Sequence, residues 1–205
     1  MTGILKQFRW GSAQAGVSLS LAASAWLLSG LTDSPLLNSL LPALTTLPAL
    51  LHLQRRANGF VLEFSSVLLL VVLCSPLAKN IPPTLTIASV LLAGLVIALG
   101  QDLSQLPIQQ ELLSNTRVSF KQLRQGTELG ALAGFALTGL IKPGWHQFIP
   151  AALLLLPLLP TVVLAGSSSL TKIPVPSFNP RAALQGLIFG GFFALLPLWV
   201  RTIST

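Results

Sequence analysis

Charge is what this sequence has least of. Asp, Glu, Lys and Arg make up 8% of 205 residues, while 52% are apolar. A soluble domain carries about a quarter charged residues. Too little polar surface remains to coat a water-soluble globule, so the composition predicts an all-α, polytopic bundle of membrane helices. Cysteine is almost missing as well. Cys74 stands alone inside an apolar run, which excludes an internal disulfide and a cysteine-built metal cluster and reads as a small buried hydrophobe. Histidine occurs only at His52 and His146, and neither belongs to a pair one helical turn apart that could ligate a metal. Also absent are a histidine-supported serine motif, a phosphate-cradling glycine loop and paired carboxylates. No enzymatic activity, cofactor or metal is expected.

The basic residues outnumber the acids, 12 to 5, for a net charge of +7. They stand singly or in pairs between apolar runs, a pattern that fits membrane topology better than nucleic acid. The N-terminus mimics a signal peptide, with Lys6 and Arg9 before an apolar stretch and Ala23-Ser24-Ala25 like a cleavage site. Apolar sequence continues through Trp26-Leu27-Leu28, so an uncleaved first helix is expected.

A spanning helix needs about 20 mainly apolar residues. Seven stretches approach that length, at residues 13–31, 35–53, 59–77, 84–100, 126–141, 148–166 and 182–200. The fifth is short and is expected to extend backward as helix into the interface. With the N-terminus inside, the inner segments hold Lys6, Arg9, Arg55, Arg56, Arg117, Lys121, Arg124, Lys172 and Arg181. The outer ones hold Lys79, Lys142 and Arg201. This bias predicts a cytoplasmic N-terminus and an external C-terminus.

Small residues at four-residue spacing let membrane helices approach closely. Ser12, Gly16, Ser20 and Ser24 form one such ladder, Gly126, Gly130, Gly134 and Thr138 a second, and Gly186, Gly190 and Ala194 a third. Prolines recur inside spans at Pro42, Pro48, Pro157, Pro160 and Pro197. They read either as kinked packing or as broken helices around a binding site. Kinked packing is favoured, because no charged residue lies within three positions of any of them.

From Leu27 to Leu51 the end of one span, the break Thr32-Asp33-Ser34-Pro35 and a proline-containing span follow in quick succession. This run resembles the first two helices of major facilitator transporters, in the branch of bacterial drug and siderophore exporters. Leu106-Pro107-Ile108-Gln109-Gln110-Glu111 through Gly139 is similar to the segment after that family's fourth helix and to its fifth helix. Asn179-Pro180-Arg181 through Arg201 is similar to its seventh. The resemblance implies half of a two-half transporter fold in a bacterial plasma membrane. Departures accompany it: the chain stops after seven spans, the 53–59 segment keeps arginines and a glycine without an acid, and Gly134-Phe135 replaces the exporters' Gly-Pro.

Ionisable residues inside a membrane are costly and are functional candidates by default. Glu63, four residues into the third span, and Glu128, near the start of the fifth, qualify. Both are expected near the inner interface, within reach of water. Arg124 and Glu128 are four apart and share a helix face; they read as an interfacial salt bridge or as a proton-coupling pair. Trp145, His146 and Trp199 read as interfacial anchors. Two functions follow: small-solute transport by an oligomer, or a non-transporting scaffold or assembly factor packed against another membrane protein. The expected partners are the lipid bilayer and either a second copy or another membrane protein.

Overall fold

The computed structural model describes residues 2–51, 54–76, 80–114 and 118–167, with 184, 199 and 203 as single positions. Its helices are α1 (Thr2–Leu31), α2 (Pro35–Thr46), α3 (Gly59–Cys74), α4 (Pro83–Ser114), α5 (Phe120–Leu140), α6 (Trp145–Leu155) and α7 (Leu159–Ser167). A 3₁₀ turn, Leu47–Leu50, prolongs α2, and another, Leu156–Leu158, joins α6 to α7 in one continuous rod. No strand occurs among the described residues. Among the described residues six rods stand, where seven spans were expected of the whole chain. The expected seventh, residues 182–200 with Gly186 and Gly190, lies outside the described residues.

Local chemistry sets several boundaries. Pro35 opens α2, where its missing N–H costs nothing, and the Ser34 hydroxyl accepts from the Leu37 N–H. Buried Asn38 donates to the carbonyls of Thr32 and Ser34, both at 3.0 Å, and ties down the α1–α2 turn. A reciprocal capping box starts α5: the Gln122 N–H donates to Ser119 Oγ, and the Ser119 N–H donates to Gln122 Oε1 at 2.9 Å. This is the backward extension expected of the fifth span. Lys142-Pro143-Gly144 then breaks the chain, with Gly144 at φ 111°, a conformation that favours glycine. The fourth helix runs through Ser114, well beyond residue 100, so the polar stretch 101–114 is helix rather than connector.

Apolar length separates the rods. Three are long and apolar enough to cross a membrane: Gly3–Leu31, Pro83–Ser114 and Trp145–Gly166. The other expected spans fall short for identifiable reasons. Pro48 turns the end of α2 into 3₁₀, the Ser75-Pro76 step stops α3 after 16 residues, and the first half of α5 carries Lys121, Arg124 and Glu128. At 1.5 Å per residue α3 spans roughly 24 Å, less than the approximately 30 Å of a hydrocarbon core.

α1 is the central element and packs against α5 on one side and α6 on another. The α1–α5 seam is built by glycine. A Cβ at Gly130 would collide with the Gly11 carbonyl oxygen, and one at Gly134 with that of Ala15. Hydroxyls on these helices are satisfied within their own turns: Ser20 donates to Val17 O at 2.8 Å, Ser24 to Ser20 O at 2.7 Å and Thr138 to Gly134 O at 3.0 Å. They are therefore buried without stranded donors.

The main helix pairs follow a partial internal correspondence, broken by α4–α7 and α1–α2, which have no α1–α3 or α4–α5 counterpart of similar size. Exchanging α1 with α4, α2 with α5 and α3 with the α6–α7 rod maps the close pair α1–α5 onto α4–α2. The same exchange maps α1–α6 onto α4–α3, and α3–α6 onto itself, and all of these pairs occur. Even the small-residue contact has its counterpart, because Leu41 of α2 sits where a Cβ of Gly94 in α4 would be. Residues 11 and 126 meet at one end of the bundle, as do 59 and 103, so α1 and α5 run parallel and α4 runs against α3. The second three-rod unit is therefore inverted relative to the first.

Candidate functional site

Glu63 occupies the crossing of α3 and α4. Gly59 and Gly100 face each other there: a Cβ at Gly100 would lie 2.7 Å from both the Glu63 nitrogen and the Gly59 carbonyl oxygen. Two backbones this close leave the Glu63 side chain no route outward. It is 3% exposed, whereas its position one turn into α3 had suggested a side chain reaching back to water. Among the described residues it has no hydrogen bond and no ion pair. A buried carboxylate without a partner is costly, by several kcal/mol per ion even after relaxation.

The carboxylate borders a small cavity of about 10 Å³, counted as the space open to the centre of a water-sized sphere. That is room for about one water molecule. Gln14 of α1 and Gln101, Ser104 and Gln105 of α4 share its wall, and Trp10 and Phe60 close the apolar side. Gln101 Nε2 makes a long contact, 3.5 Å, to Gln14 Oε1. The Trp10 indole N–H donates to Thr127 Oγ1 at 2.8 Å, so the ring is locked between the cavity and α5. Among the described residues, no Lys, Arg or His lines the space.

A second polar contact lies next to it. The Arg56 N–H donates to the Leu103 carbonyl at 2.8 Å, which holds the segment before α3 on α4. Arg55 in that segment is close enough to Asp102 to interact electrostatically.

The other candidates fall elsewhere. Arg124 Nε and Glu128 Oε1 form the expected pair at 2.9 Å, with side chains 74% and 62% exposed. They stand on the outer face of α5 and do not line the cavity. Gly126, Gly130 and Gly134 are buried against α1, as a packing ladder requires, but they meet Gly11 and Ala15. The Ser12–Gly16 stripe serves a different neighbour, with Gly16 against the Ala151 carbonyl of α6. Trp145 and His146 have ring centroids 4.1 Å apart at the start of α6.

Gln14, Asp102 and the 101–105 glutamines were not read from the sequence as site residues. A signal existed: Gln101-Asp102-Leu103-Ser104-Gln105 is a dense polar run continuing an apolar helix, and Gln14 is a lone amide at the head of an apolar stretch.

No family model matches the chain, and comparison with curated proteins and with solved structures gives no match.

Proposed function

We propose that this chain is a membrane protein that moves a small solute as an oligomer, each copy supplying one half of the pathway. The observation that carries this reading is the inverted pairing of two three-rod units around α1 and α4. Inverted repeats of this kind build many secondary transporters, with substrate held near the membrane midplane between moving units. The resemblance to the first half of a major facilitator transporter agrees with it. The cavity beside Glu63 is far too small for a solute, and this reading places the pathway between copies. Of the candidate coupling residues, Glu63 suits the role best, because it is buried at a helix crossing while Arg124 and Glu128 pair at the surface.

Outward-facing Leu129, Leu132, Phe135 and Leu140 on α5 are 64, 66, 59 and 82% exposed, an apolar surface suited to lipid or to a second copy. The test is purification in mild detergent with mass measurement, followed by solute flux in proteoliposomes using cationic drugs and iron chelates. A dimer or higher oligomer with saturable flux, lost in Glu63→Gln at normal membrane levels, is expected. An oligomer without flux to any solute overturns the reading in favour of a scaffold or assembly role.

A further inference from the structure

Of the five acids in the chain, Glu63 alone is buried; Asp33 and Glu128 are exposed, and Asp102 and Glu111 are half-buried. A carboxyl without a partner inside a protein is cheapest to hold as the neutral acid. The adjoining wall suits that form, apolar at Trp10, Phe60 and Ile108 and uncharged at Gln14, Gln101 and Ser104. The charges on the surrounding elements are engaged or placed elsewhere. On α4, Asp102 interacts with Arg55, and on α6, His146 lies against Trp145. Arg56 donates from Nη2 to Gln54 Oε1 at 3.1 Å. Glu111 of α4, Lys6 and Arg9 of α1 and Cys74 of α3 do not line the space beside Glu63.

An ionised Glu63 has nowhere to go in the closed bundle. The space beside it admits about one water molecule, too little to hydrate a carboxylate. A Cβ at Gly59 would lie 2.5 Å from the Leu103 Cβ, and one at Gly100 would lie 2.7 Å from the Gly59 carbonyl oxygen. Water can therefore reach the carboxylate only if α3 and α4 part. We infer that Glu63 is a pH-controlled latch on the α3–α4 crossing. The neutral acid lets Gly59 and Gly100 close on each other, and loss of its proton drives the crossing open. The backbone bond from Arg56 to the Leu103 carbonyl lies at this crossing and breaks as the helices separate. Folding favours the neutral form, so stability is full at acid pH and falls as rising pH forces ionisation. The latch requires no solute pathway and is read on the purified chain.

The test is a titration of the full chain in mild detergent from about pH 5 to about pH 9, above the range where exposed carboxyls ionise. Infrared spectra follow the carbonyl stretch of a protonated carboxylic acid, alongside the thermal midpoint and Trp10 fluorescence, isolated by subtracting Trp10→Phe. The band should persist at neutral pH and be missing in Glu63→Gln. As it disappears at higher pH, the wild-type midpoint should fall by about 5 °C and the Trp10 signal should shift in step. Glu63→Gln should stay flat in both, while Cys74→Ala, which removes the other ionisable group of α3, should respond as wild type does. Gly100→Ala wedges the crossing apart and should lose the band about one pH unit lower. A wild-type chain without the band at neutral pH overturns the inference. So does a band lost with no change in midpoint or Trp10, or a pH response retained in Glu63→Gln. If Glu63→Gln does not fold, an unshifted band in Gly100→Ala overturns it.

Discussion

Two helix crossings in this bundle use glycine in the same way and reach opposite ends. At the α1–α5 seam, Gly130 and Gly134 meet the Gly11 and Ala15 carbonyls, and the polar groups there are neutral and partnered, Thr138 within its own helix and Trp10 across the seam to Thr127. At the α3–α4 crossing, Gly59 meets Gly100, and the approach traps an acid beside a polar space. The first seam is neutral, and its closeness serves packing. The second gives up some packing to hold Glu63. Close helix approach is therefore neutral with respect to function: what the approach encloses decides it.

Changes on the two crossings should separate their roles. The largest effect is expected for Gly130→Leu, whose side chain must push α1 and α5 apart at the backbone. A loss of about 3 kcal/mol or more is expected, read as a drop in thermal midpoint in detergent. Gly139→Leu, with nothing within 4 Å of its Cβ position, should keep the wild-type midpoint. Equal losses at both positions would dissolve the distinction between seam and open face.

Gly100→Ala comes next, at about 1–3 kcal/mol, and it should also disturb Trp10 fluorescence because the cavity wall moves with α4. Glu63→Gln should do the reverse on stability. It keeps the shape and removes a carboxyl whose charged form burial penalises, so a gain of about 1 kcal/mol is expected at high pH, where the wild-type carboxyl must ionise. A clear loss there would mean that the acid has a structural partner. The smallest effect belongs to Glu128→Gln. Its exposed i,i+4 pair contributes below about 0.5 kcal/mol, and solute flux should be unchanged; lost flux with normal protein levels would return the coupling role to α5.

Legibility in the sequence followed range. Features with local causes were readable: the Gly126–Gly130–Gly134 face, the Arg124–Glu128 pair and the helix leading into α5 all depend on spacing within one helix. The length of α4 was misjudged because Gln101 through Ser114 is polar enough to resemble a connector, yet about half of that stretch is half-buried against its neighbours. Glu63 was recognised as a candidate, but its surroundings were not. Its neighbours Gln14 and Gln101 lie far away in sequence, and no periodicity links them.

By itself, the sequence pointed to apolar helices, because 8% of its residues are charged and three helices are long and apolar enough to cross a membrane, and it determined which α5 face is small enough to be buried. Tertiary structure alone decided where Glu63 points. One turn into a helix, a glutamate reaches water or core according to what crosses it, and here the bare backbone of Gly100 crosses so closely that a Cβ on it would lie 2.7 Å from the Glu63 nitrogen. That closeness turns an acid near a helix end into a buried charge with one small polar space beside it.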